Sequence, residues 1–225
     1  MKNLILLHGA LGASSQFDEL MSILQDRFKV YRFDLSGHGN SPVTADFKMS
    51  QFAQELKTFI LEKEIDKPQI FGYSMGGYIS YYLASVEGEL LGDIMSLGSK
   101  LKWDPLIAKL ETGKMNPEKI KEKVPKFAEY LDSLHLDWEA TMTATAKLMV
   151  NLGDGEALTF EEFGRIKNKC YIGLGDGDEM VSCQETLDVD AALLNSHYFK
   201  LPNSRHPLPQ LNMKQLSEFI IKFLA

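Results

Sequence analysis

Hydrophobic and polar positions along the chain alternate between two periods. Leu4 to Leu7 is a short apolar run closed by His8-Gly9, as expected for a buried strand. Phe17, Leu20, Met21 and Leu24 then recur at helical spacing, with Ser14 or Ser15 placed to cap that helix. Lys29 to Asp34 alternates apolar and polar and breaks at Ser36-Gly37-His38-Gly39-Asn40, a strand followed by a turn. Phe52, Leu56, Phe59 and Ile60 give Met49 to Glu64 one apolar face. Gln69 to Tyr73 reads as a strand, and Met75 to Val86 is apolar nearly all round, which suits a buried helix. Asp93 to Ser99 is a further strand. From Leu101 to about Arg165 the pattern is helical, with Pro125 at the first turn of a helix bearing Phe127, Tyr130, Leu131 and Leu134. Lys169 to Gly175 and Asn195 to Leu201 return to strand character, and Met213 to Leu224 closes the chain as a helix.

Strands that alternate with helices predict a mostly parallel sheet covered on both faces. Six strands are expected. The helical stretch at about 101–165 is too long for one crossover, so it is expected to form a cap on a single domain spanning 1–225. Ligands of open α/β sheets bind beyond the carboxyl ends of the strands, which directs attention to the strand-to-loop junctions. A cap there would set apolar faces over the site. Its candidate wall residues are Trp103, Phe127, Leu131, Leu134, Trp138, Met142 and Met149, because methionine adapts to irregular space and pockets are mainly apolar.

Composition narrows the function. The 225 residues are 44% hydrophobic and 24% charged, ordinary globular usage that excludes a disordered chain. Lys and Arg number 24 against 31 Asp and Glu, a net charge of −7. That balance argues against nucleic acid or an anionic membrane as partner. The densest cationic stretch, Lys114 to Lys126, is interleaved with Glu118 and Glu122 and reads as a solvated helix face. Cys170 and Cys183 make no disulfide framework and no C-x-x-C pair. The apolar run after Met1-Lys2-Asn3 is shorter than a signal peptide or membrane span requires. A cytoplasmic protein is the expectation.

Four junctions carry chemistry. Gly72-Tyr73-Ser74-Met75-Gly76 is G-x-S-x-G between a strand and a helix, the tight turn that lifts a serine hydroxyl clear of the backbone. His8-Gly9-Ala10-Leu11-Gly12 follows the first strand, and its backbone can aim an N–H at a developing oxyanion. The candidate donors are the amides of Ala10 and Met75, with His8 itself structural. Asp176 and Asp178 follow one late strand and His206 follows the next. A serine needs a base held by a carboxylate, and His206 is the histidine in a post-strand loop near the C-terminus. His38, His135 and His197 read as packing or surface residues. Either aspartate could be the acid. A metal hydrolase lacks a ligand cluster such as H-x-x-x-H, and no cofactor is implied.

These segments together resemble an α/β-hydrolase. The match adds Asp34-Leu35-Ser36-Gly37-His38-Gly39-Asn40-Ser41, Gly77 and Gly175-Asp176-Gly177-Asp178 to the motifs above. The resemblance implies a Ser74–His206–Asp178 triad, with the family's G-x-x-D pattern placing the acid at Asp178. It departs in two ways. The family's usual first two strands are not expected here, and Arg205 stands where a glycine often precedes the histidine. The implied reaction is hydrolysis of a small, largely apolar carboxylic ester through an acyl-enzyme. Thioesterases, carbon–carbon hydrolases, acyltransferases and lyases use the same triad, and a small-molecule receptor on this fold is the alternative from another class.

Overall fold

In the computed structural model, residues 1–43 and 46–225 are described. Six strands form one sheet: β1 (Lys2–Leu7), β2 (Phe28–Arg32), β3 (Gln69–Tyr73), β4 (Ile94–Leu97), β5 (Cys170–Gly175) and β6 (Ser196–Leu201). Their spatial order is β2-β1-β3-β4-β5-β6, and every neighbouring pair is parallel. The chain leaves β1 outward to β2 and then crosses back to β3. The direction of winding therefore reverses between β1 and β3. Loops leaving these two strands part to opposite sides and open a crevice at their carboxyl ends.

Alternation along β1 divides the core. Ile5 and Leu7 face one helical layer, Leu4 and Leu6 the other. The first layer holds α2 (Met49–Glu62), α3 (Met75–Glu87) and α9 (Cys183–Ala192), through side chains such as Phe52, Leu56, Ile79 and Val189. The second holds α1 (Asp18–Leu24) and α10 (Met213–Leu224), with Leu20, Leu24, Leu216 and Ile220 fully buried. The N-terminal start of α1 differs from the sequence expectation. Neither Ser14 nor Ser15 caps it. A short 3-10 turn over Ser14–Phe17 comes first, and the Ala13 N–H there is satisfied by Gln16 Oε1 at 3.1 Å. The Ser14 N–H donates instead to Asp34 Oδ1 at 2.7 Å.

Between β4 and β5 the chain runs through α4 (Pro105–Thr112), α5 (Pro117–Lys123), α6 (Pro125–Leu134), α7 (Trp138–Asn151) and α8 (Phe160–Phe163). Local signals account for their starts. Asp104, Asn116 and Asp137 each accept an N–H of the first turn, and prolines open α4, α5 and α6. Leu131, Trp138 and Met142 form a small core of their own, with Ile120 and Leu11 packed against it. The last helix behaves differently. Phe163 of α8 packs edge-on against Tyr81 of α3 at 5.9 Å, so α8 lies in the first helical layer.

Candidate active site

Ser74 stands between β3 and α3 with φ 51° and ψ −117°. A non-glycine residue in that region is strained by about 1–3 kcal/mol, and the surroundings fix it. Its N–H donates to the Leu97 carbonyl at 2.9 Å, and its carbonyl accepts from Ser99 Oγ at 2.8 Å. The flanking glycines permit the turn by close approach. A Cβ on Gly72 would lie 2.5 Å from the Gly77 backbone, and one on Gly76 would collide with the Leu7 carbonyl.

His206 and Asp178 reach Ser74 from the loops after β6 and β5. Ser74 Oγ lies 3.3 Å from His206 Nε2, and His206 Nδ1 lies 2.8 Å from Asp178 Oδ2. The Asp178 side chain is only 2% exposed, that of His206 12%. Burial raises the Asp178 pKa. The bond and charge of His206, with N–H donors of Val181 and Met180, outweigh it and hold the carboxyl below its ordinary value. Those two N–H groups bind Oδ1 at 2.9 and 2.8 Å, leaving Oδ2 for the imidazole. Asp176 does another job: its Oδ1 accepts the Ser204 N–H at 3.1 Å and ties the β5 loop to the one carrying His206. Arg205 points outward and is exposed. Gly98 lies behind the pair, where a Cβ would come 3.2 Å from Asp178 Oδ2.

Tyr73 was not anticipated. Its hydroxyl donates to the His206 carbonyl, and the two rings lie 5.6 Å apart. Burial, with the Asp178 charge, pushes the phenol pKa up, so it remains a donor. The variable position of G-x-S-x-G gave no signal for this role.

The loop after β1 passes directly over the serine, since a Cβ on Gly9 would lie 3.0 Å from Ser74 Cβ. His8, fully buried, sets its direction. The Leu35 N–H donates to His8 Nε2 at 3.1 Å, so the proton sits on Nδ1, which donates to the Gly9 carbonyl at 2.8 Å. Gly12 N–H binds the same carbonyl at 3.1 Å. A trans peptide directs its N–H opposite to its C=O, so holding the Gly9 carbonyl turns the Ala10 N–H the other way. Met75 is the first residue of α3, and its N–H is among the donors a helix start leaves free.

A cavity of about 530 Å³ opens above these atoms. Ser74, His206, Ala10 and Met75 line its floor. Trp103, Met115, Phe127, Tyr130, Leu148 and Met149 line the facing wall, contributed by the β4–β5 helices and the segment leading into them. Of the wall residues expected from sequence, Trp103, Phe127 and Met149 are therefore on the cavity. Leu131, Trp138 and Met142 require correction. They turn inward and fill the core that joins α6 to α7, being 0, 5 and 1% exposed. Leu134, half-buried at the end of α6, also lies off the wall. Lys100, Met180 and Gln16 are cavity residues that periodicity did not reveal. Lys100 and Met180 follow β4 and β5, so position after a strand was their available signal. Among the described residues no cluster of His, Cys, Asp or Glu suits a metal ion, and no helix is long and apolar enough to cross a membrane.

This sheet order, elbow and relay define an α/β-hydrolase. A family model described as alpha/beta hydrolase fold matches residues 2–148, and the chain belongs to that family. It is 34% identical over 83 residues to 2-succinyl-6-hydroxy-2,4-cyclohexadiene-1-carboxylate synthase of Pectobacterium atrosepticum, over 36% of this chain and 32% of that protein. The chain spans about a third or less of the length of the curated relatives it matches first. Solved structures are similar over nearly all of it. The enol-lactonase of Burkholderia xenovorans LB400 has a TM-score of 0.81 at 16% identity, covering 99% of this chain and 91% of that one. A thermophilic esterase of Thermogutta terrifontis has a TM-score of 0.81 at 18% identity, covering 100% and 89%. At such identities the likeness concerns the fold.

Proposed function

We propose that this chain is a serine hydrolase acting on a small, largely apolar carboxylic ester, with Ser74 as nucleophile, His206 as base and Asp178 as the orienting acid. The observation that carries this reading is the continuous contact from Asp178 through His206 to Ser74 Oγ at the floor of an apolar cavity. Asp178 Oδ2 accepts from Nδ1 of His206, which leaves Nε2 as the acceptor facing the serine. Ser74 Oγ attacks the acyl carbon as its proton passes to Nε2. The carbonyl oxygen becomes an oxyanion between the N–H groups of Ala10 and Met75, whose fixed direction favours the transition state. The imidazolium returns the proton to the departing alkoxide. Water, deprotonated by the same nitrogen, then attacks the acyl carbon, and the imidazolium returns that proton to Ser74 Oγ as the acid leaves. The spacing of 3.3 Å suits a resting enzyme whose hydrogen bonds tighten on substrate.

The helices at about 101–165 serve as a cap on one hydrolase domain, and the wall they supply selects the acyl group. The proposed steps use side chains and backbone alone. Two unpaired cysteines, one of them exposed, fit a reducing cytoplasm, and the acidic surface fits a small molecule rather than nucleic acid as partner. The relatives' names differ in reaction, as expected where one constellation serves several chemistries. The test is hydrolysis of p-nitrophenyl esters of increasing acyl length by the wild type and Ser74→Ala. Turnover is expected for short to medium chains and should fall by roughly 10⁴-fold or more in the variant, as triad removals do. A folded variant with wild-type turnover would overturn the assignment.

A further inference from the structure

A histidine from the cap reaches the loop over the serine. His135 lies between α6 and α7, is 7% exposed, and takes no part in the relay. The Gly39 N–H donates to its Nδ1 at 2.9 Å. That fixes the proton on Nε2, which sits 3.1 Å from the Leu11 carbonyl. Burial lowers the His135 pKa, with the Leu11 bond and the Asp34 charge opposing, so the ring stays neutral and keeps one donor and one acceptor. Leu11 follows Ala10 directly and has φ 54°, a left-handed conformation that a leucine holds only under constraint. Its side chain packs against the Leu131–Trp138–Met142 core of the cap. The loop that carries the Ala10 N–H is thus pinned on both sides, by His8 beneath and by the cap above.

Building on the hydrolase reading, we propose that His135 is a positioning residue for the oxyanion loop: its Nε2–H holds the Leu11 carbonyl and so keeps the Ala10 N–H turned toward Ser74. The neighbouring contacts set this bond apart. The Leu136 N–H donates to the Gly39 carbonyl at 3.1 Å and Thr141 Oγ1 to that of Gly37. Both anchor the cap to the turn after β2 and leave residues 9–12 untouched. His135 alone among these extends the anchorage to the oxyanion loop.

Two substitutions separate its two bonds. In His135→Gln the amide nitrogen reaches about as far as Nε2 and can still donate to Leu11. In His135→Asn the amide oxygen can replace Nδ1 toward Gly39, and the Leu11 bond is lost. Amide hydrogen exchange over residues 9–12, read by mass spectrometry, is expected to accelerate in the Asn variant and to stay near wild type in the Gln variant. On p-nitrophenyl acetate the Asn variant should lose kcat by about 10-fold with KM little changed, less than the 10²–10³ of a deleted oxyanion donor. The Gln variant should recover most of that loss. Thr141→Val loosens the cap on the Gly37 side only and should leave both readouts unchanged. Equal exchange in the Asn and Gln variants overturns the proposal, as does a loss in Thr141→Val matching that in His135→Asn. A wild type without ester turnover would strike the hydrolase reading instead, and the exchange comparison still decides the role of His135.

Discussion

The two walls of the cavity are built on different principles. On the sheet side the groups around Ser74 are held by hydrogen bonds. Ser74 is held through its N–H and carbonyl, His206 through Tyr73 and Asp178, and the oxyanion loop through His8. On the cap side the wall is mainly apolar, with Trp103, Phe127, Met115 and Met149 facing the space above. Hydrogen bonds fix direction, whereas apolar contact fills volume with little directional demand. On the proposed reading, the sheet edge holds the reacting groups and the opposite wall, His135 apart, bears on which acyl group fits. The difference predicts that mutations on the two sides fail in different ways.

The largest expected effect separates the two aspartates of the β5 loop. Asp178→Asn should lower kcat by about 10⁴-fold, because the amide favours the wrong imidazole tautomer. Asp176→Asn weakens ties to the Asn203–Ser204 backbone and leaves the Asp178–His206 contact in place, so kcat should stay near wild type while the loop loosens. Steady-state kinetics on one ester decides the matter, and the reverse pattern would exchange their roles.

A second effect concerns acid. His8, His38 and His135 are buried together, with ring centroids 5.1 Å and 5.9 Å apart. Burial lowers the His8 pKa from 6.5 to about 4, against opposing contributions from the Gly9 bond and the Asp34 charge. Burial also lowers those of His38 and His135. With folded values below the unfolded one, the unfolded chain takes up protons first as pH falls. The stability is therefore intact above about pH 6.5 and is lost progressively toward pH 4, by on the order of 3 kcal/mol from His8 alone. Urea unfolding at pH 7 and pH 4.5 measures it, and His8→Asn should flatten the slope. A pH-independent midpoint would contradict the neutral, buried state of this cluster.

The smallest effects lie on the cap, where two methionines seven residues apart in α7 should behave differently. Met149→Ala enlarges the cavity and should shift relative rates between short and long acyl esters by a few-fold, about 1 kcal/mol. Met142→Ala leaves a void inside the cap core. It should cost roughly 2–5 kcal/mol of stability and leave chain-length preference unchanged. Equal shifts in preference from both would erase the distinction between wall and core.

How far the sequence carried this picture follows from the kind of signal involved. The six strands and their parallel pairing were legible because each strand is a short apolar or alternating segment, most of them ending at a turn signal, with helical segments between them; the order in which they lie in the sheet was not read. Ser74 was legible because the elbow demands glycines at fixed offsets. Helix α9 was not read from the pattern, since Cys183–Ala192 buries only Glu185, Thr186 and Val189. Its capping box, Ser182 with Glu185, was the available sign. The choice between Asp176 and Asp178 depends on how the loop curls, which spacing alone does not fix. The cap wall was only partly legible for a similar reason. Periodicity finds the apolar side of α6 and α7, yet that side is shared between cavity and cap core, and tertiary packing decides which residue faces which. The three buried histidines show the same limit. Their pairing joins positions 8, 38 and 135, and no local pattern spans that distance.

The most direct test of the account is covalent. A fluorophosphonate should react with the folded wild-type protein at Ser74, located by peptide mass spectrometry, and the reaction should vanish in Ser74→Ala and slow strongly in Asp178→Asn. A folded wild-type protein that stays unlabelled, or labelling that persists at another residue once Ser74 is alanine, would contradict the assignment of Ser74 as the nucleophile.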